Sequence, residues 1–90
     1  MKYQIIYSPE AILDIQKLKK SGNKAIMKKL NALIEELKEH PETGTGQPER
    51  LKHSLSGLWS RRINHTHRLV YSVDGKNVSV SIIGAFGHYN

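Results

Sequence analysis

Trp59-Ser60-Arg61-Arg62-Ile63-Asn64-His65-Thr66-His67-Arg68-Leu69-Val70-Tyr71 is the stretch whose reading decides the fold. Two runs rich in β-branched and aromatic residues flank a short polar break, the pattern of an antiparallel hairpin. Successive side chains of a strand point to opposite faces. Trp59, Arg61 and Ile63 therefore point one way, and Leu58, Ser60 and Arg62 the other. In the next run His67, Leu69, Tyr71 and Val73 share one face, while Arg68, Val70 and Ser72 share the opposite one. With Asn64-His65-Thr66 as the loop, Ile63 pairs with His67 and Arg62 with Arg68. The apolar faces then coincide, and the two arginines stand side by side on the more polar face. Like charges opposed across strands destabilise unless an anion lies between them, so this register points to an anion site. A slip of one residue would separate the two arginines.

Working outward, a strand over 57–63 and one over 67–73 are followed by a third over 77–83. Asp74-Gly75 between the last two is a tight-hairpin signal. Leu51–His53 adds a short candidate strand. Upstream, Pro-Glu-Thr-Gly-Thr-Gly-Gln-Pro at 41–48 reads as a loop. Before it, Ile26, Met27, Leu30, Leu33, Ile34 and Leu37 form one stripe of a helix over about 23–40, closed by Pro41. A first helix begins at Ser8-Pro9-Glu10, which supplies a capping hydroxyl, a proline at the first position and an acid at the positive end of the dipole. It runs to about Lys20 with Ala11, Ile15 and Leu18 on one face. Lys2 to Tyr7 is a first strand. The order β-α-α-β-β-β makes an α+β domain over 1–90, two N-terminal helices on one face of a mainly antiparallel sheet.

Ninety residues suit one small domain. The absence of cysteine excludes disulfides and thiolate metal sites. No apolar run reaches the roughly 18 residues of a membrane span, and the start lacks the features of a secretory signal. A cytoplasmic address and no membrane partner are the expectations. The net charge of +6 suits a polyanionic partner. All four arginines lie between Glu49 and Arg68, where five cations face one acid. Arginine grips phosphate in a bidentate fork, so this cluster outranks the lysine-rich helix as a candidate for chemistry.

Glu49, the one acid in that basic window, is a candidate general base. His88, near the end of the chain, is a candidate general acid, and Tyr89 a stacking or phosphate-binding aromatic. Arg68 and Arg62 are candidate phosphate clamps, with Lys52 and Arg61 as further cations for RNA. The plain alternatives are a salt bridge from Glu49 to Arg50 or Lys52, a frayed terminus at His88 and a solvated sheet face for the arginines. His65 and His67 lack a supporting third ligand, so no metal or other cofactor is expected. Gly44-Thr45-Gly46 lacks the continuation of a phosphate-binding P-loop.

The runs Pro48-Glu49-Arg50-Leu51-Lys52-His53, Leu55 to Ile63, His67-Arg68-Leu69-Val70-Tyr71 and the tail His88-Tyr89 resemble the YoeB/Txe family, ribosome-dependent mRNA endonuclease toxins of the RelE superfamily. The resemblance spans nearly the whole chain. It implies Glu49 as general base, His88 as general acid, Arg68 as stabiliser of the transition state and Tyr89 as part of the site. Lys52 and Arg62 match basic positions that contact RNA or phosphate. It further implies cleavage of mRNA at the A site of the 70S ribosome without a metal, leaving a 2′,3′-cyclic phosphate and a 5′-hydroxyl. A cognate antitoxin is the implied protein partner, and several members form homodimers. Two other readings stand beside it: a basic module that holds RNA or a ribosomal surface through Arg61, Arg62 and Arg68 without cutting it, and a ParE-like toxin that acts on DNA gyrase through protein contacts, against which the tail His88-Tyr89 argues. In this chain Asn90 follows the tyrosine, and 84–87 carries no basic residue.

Overall fold

The computed structural model describes residues 2–52, 55–77 and 79–85, with Val80 and Ile83 described by backbone alone. Elements follow as β1 (Gln4–Tyr7), α1 (Pro9–Lys20), α2 (Lys24–Glu39), β2 (Glu49–Arg50), β3 (Trp59–Arg62), β4 (Arg68–Asp74) and β5 (Ser79–Gly84). The strands form one sheet in the order β1-β5-β4-β3-β2. Among the described residues only β1 and β5 run parallel, and the other three pairings are antiparallel. This is the expected α+β arrangement. The short extra strand is Glu49–Arg50, Leu51 and Lys52 of the expected 51–53 strand lie outside it, and the Leu51 amide bonds to the Leu58 carbonyl. Among the described residues no helix is long and apolar enough to cross a membrane.

Local chemistry sets the helix limits. Ser8 caps α1, its hydroxyl accepting from the Ala11 amide at 2.9 Å, and Pro9 occupies the first turn, where its missing N–H costs nothing. Asn23 caps α2 in the same way, from the Ile26 amide at 3.1 Å. The break between the helices is a left-handed Gly22. Ala11 and Leu18 of α1 and Leu30, Leu33, Ile34 and Leu37 of α2 are buried against Ile63, Leu69, Tyr71 and Ile82 of the sheet side. Each fully buried leucine contributes about 1.5–3 kcal/mol through the area it removes from water.

Arg62 pairs with Arg68 and Trp59 with Tyr71, so the hairpin has the register that its alternation predicts. The reason is visible in the loop. The Asn64 side chain accepts from the Thr66 and His67 amides at 2.8 and 2.7 Å, and the Ile63 amide bonds to the His67 carbonyl. An asparagine at the loop's first position thus fixes its length. The next hairpin differs from expectation. Asp74 pairs with Ser79, so the connection is longer than a tight Asp-Gly turn, and the Asp74 carboxylate closes it by accepting from the Lys76 and Asn77 amides.

Candidate active site

Residues directly opposed in an antiparallel pair share a face of the sheet. Glu49 is opposite Ser60, and Ser60 is opposite Val70. Two positions along, Arg62 is opposite Arg68. Glu49, Ser60, Arg62, Arg68 and Val70 therefore occupy one face, away from α1 and α2. Two strand spacings separate Glu49 from the Arg68 strand, about 10 Å laterally. Arg68 narrows that gap, because its Nη1 donates to the Ser60 hydroxyl at 3.3 Å. The guanidinium thus lies beside the residue that directly faces Glu49.

The floor of this face is dry. Ser60 and Val70 are fully buried, whereas Arg68 is half-buried and Glu49, Arg62 and Lys52 are exposed. A cation resting on a desolvated floor attracts an anion more strongly than one in bulk water. A β-bulge interrupts the β4–β5 pairing between Val70 and Tyr71, beside the same floor. Bulges re-aim the chain that follows and recur next to active sites. At the end of β5 the Ala85 amide donates to the buried Asp14 carboxylate at 3.1 Å, which ties the root of the C-terminal segment to α1. His88 and Tyr89 lie outside the described residues, as does His53.

Among the described residues no ion pair joins Glu49 to Arg50 or Lys52. Arg50 instead stacks over Trp59, its guanidinium carbon 5.1 Å from the ring centroid, on the opposite face. No group of three or more acidic, histidine or cysteine side chains that could hold a metal occurs among the described residues.

Arg61 is a correction. The sequence reading offered it to RNA, but its side chain is wholly buried on the helix face. Its Nε donates to the Tyr71 hydroxyl at 3.1 Å and its Nη1 to Glu36 Oε1 at 3.0 Å. Nη2 donates to the carbonyls of His40 and Thr43 at 2.7 and 2.6 Å, and Nη1 also reaches the Thr45 carbonyl at 3.4 Å. A buried guanidinium requires such partners, since an unpaired charge out of water is prohibitively costly. With its donors engaged inside the fold, Arg61 is a structural group and not an RNA contact. The alternation already placed it in line with Trp59 and Ile63; an arginine in a core-facing row is the signal for an acid partner elsewhere in the fold.

That acid is Glu36, with Tyr71 beside it. Desolvation pushes the Glu36 carboxyl up, but hydrogen bonds from Thr45 and the Arg61 charge outweigh it and hold the group below its usual value. Burial raises the Tyr71 hydroxyl's pKa, against a smaller opposing effect of Arg61. The tyrosine stays protonated and donates to the Pro41 carbonyl at 2.7 Å.

A face with one carboxylate and two arginines on a buried floor can bind a phosphate and hold a base beside it. Comparison with known proteins gives this arrangement a family. Residues 7–89 match the family described as the YoeB-like toxin of bacterial type II toxin-antitoxin system. Toxin YoeB of Escherichia coli K12 is 49% identical over 59 residues, covering 66% of this chain and 70% of that protein. The YoeB dimer from Staphylococcus aureus superposes with a TM-score of 0.83 at 38% identity, covering 99% of this chain and 100% of that one. The YoeB-YefM complex from the same organism gives a TM-score of 0.81 at 39% identity, again over 99% and 100% of the two chains. The family match spans residues 7–89 and the superposition 99% of the chain, and the chain belongs to the YoeB-like toxins of bacterial type II toxin–antitoxin systems.

Proposed function

We propose that this toxin is a metal-independent endoribonuclease that cuts mRNA at the ribosomal A site. The observation that supports it best is Glu49 opposite Ser60, with the Arg68 guanidinium on the Ser60 hydroxyl, all on the sheet face remote from the helices. Glu49 takes the proton of the ribose 2′-hydroxyl, and the freed oxygen attacks the adjacent phosphorus. The bond to the 5′-oxygen breaks as His88 gives that oxygen a proton. The products are a 2′,3′-cyclic phosphate and a 5′-hydroxyl, with no water consumed. Arg68 meets the charge that builds on the phosphoryl oxygens, the kind of preorganised electrostatic help that dominates such steps. Arg62 and Lys52 hold the flanking phosphates, and Tyr89 stacks on a base beside the cut.

Two partners follow from the relatives. The Staphylococcus aureus protein crystallised with YefM supports a cognate antitoxin, and the dimer supports self-association. The test is to incubate the purified toxin with an mRNA under translation, with and without ribosomes, and map the new ends. Cyclic-phosphate and 5′-hydroxyl termini at A-site positions, absent with His88→Ala, are expected. Intact RNA that nevertheless co-sediments with the toxin would leave a binding module in place of the enzyme.

A further inference from the structure

Glu49 sits on a strand of only two residues, reached through a loop rich in glycine. So short an edge strand does not fix the position of a side chain by itself. We infer that Arg61, with Tyr71 and Glu36, is a positioning clamp that sets the loop 41–48 and thereby places Glu49 for catalysis. The inference rests on the nuclease reading of the Glu49 face.

The geometry is that of a staple driven through the sheet edge. From its position in β3, opposite Leu69, the Arg61 guanidinium gathers the carbonyls of His40, Thr43 and Thr45. Tyr71 adds the carbonyl of Pro41, and Glu36 adds the Thr45 amide at 2.8 Å. The chain from His40 to Thr45 therefore has backbone groups of four residues tied to Arg61 directly or through Tyr71 and Glu36. Immediately after Thr45 the Gly46 carbonyl accepts from the Arg62 amide at 2.7 Å. A Cβ at Gly46 would lie 2.9 Å from the Arg62 carbonyl oxygen, so the chain runs against β3 before Glu49 pairs with Ser60. Arg61 and Arg62 are neighbours with opposite tasks: one faces inward and fixes the loop, while the other faces outward beside Arg68. Displacement of a catalytic group by about 1 Å can cost on the order of 100-fold in rate.

The test is a double-mutant cycle in single-turnover cleavage of ribosome-bound mRNA. Tyr71→Phe removes the hydroxyl that joins Arg61 Nε to the Pro41 carbonyl; Glu36→Gln is a second variant that keeps an acceptor oxygen but removes the negative charge facing Arg61. In the wild-type background each is expected to lower the rate about 10- to 100-fold at unchanged half-saturating ribosome concentration. In a Glu49→Gln background the same changes should alter the residual rate less than about twofold, because they act through Glu49. An equal loss in both backgrounds, or a loss expressed as weaker binding, overturns the clamp. Hydrogen exchange supplies a readout free of activity: in both variants the Thr45 and Arg62 amides should lose more protection than the α1 amides do. Unchanged exchange at those two amides overturns the clamp even if the wild-type protein proves not to cut RNA. Absence of cleavage by the wild type, together with faster exchange, would instead refute the nuclease reading.

Discussion

Replacing Tyr71 with phenylalanine deletes a single oxygen from the core and tests the buried network most sparingly. That oxygen donates to the Pro41 carbonyl at 2.7 Å and accepts from Arg61 Nε at 3.1 Å, and the side chain is fully buried. Phenylalanine keeps the ring packing, so no large cavity forms. Two buried polar groups lose their partner, and each unsatisfied group costs about 1–3 kcal/mol. Relief from burying the hydroxyl itself offsets a part, leaving an expected loss of about 2–4 kcal/mol. In urea, a chain of this size has a slope of about 1–1.5 kcal/mol/M, so the midpoint should fall by about 1.3–4 M with the slope unchanged. Thermal unfolding should drop by about 10 °C or more. A midpoint shift under about 0.5 M would refute the claim that this hydroxyl bridges two otherwise unpartnered groups.

Gly46→Ala should destabilise by about 1–3 kcal/mol, because φ is +83° there and the nearest obstacle is a backbone carbonyl that cannot swing away; chemical denaturation checks it. Asp14→Ala should cost about 1–3 kcal/mol by stranding the buried Ala85 amide, and the Ala85 amide should lose exchange protection first. The pH dependence has two arms with signs fixed by the network. Glu36 is depressed in the folded state, so its contribution is full above its ordinary value of 4.5 and is lost as pH falls below it. Tyr71 is raised, so its contribution is full below its ordinary value of 10.0 and is lost as pH rises through the folded value. Unfolding midpoints measured from pH 3 to 11 should fall at both ends, and Glu36→Gln should flatten the acid arm.

Much of this was legible in the chain. Asn64 announced the loop that sets the β3–β4 register, and with it the juxtaposition of Arg62 and Arg68. Ser8-Pro9 and the leucine stripe gave both helices, since each signal is local. Arg61 was misassigned because charge alone cannot distinguish a cation that meets solvent from one that turns inward to meet an acid on a packed helix. Its partner Glu36 lies 25 residues away on α2. Sequence spacing carries no trace of that contact until the helix is packed on the sheet. The Asp14–Ala85 tie, 71 residues apart, was hidden for the same reason. Asp74-Gly75 suggested a tight turn, but the carboxylate's bonds to two following amides stabilise a longer one.

The most direct measurement of the central claim compares wild type with Glu49→Gln in single-turnover cleavage of an mRNA held on the ribosome, with affinity measured in parallel. Loss of a general base predicts a rate lower by about 10² to 10⁴ with binding unchanged within about twofold. A variant that cuts as fast as the wild type, or one whose defect lies wholly in binding, would contradict the assignment of this sheet face as the site of chemistry.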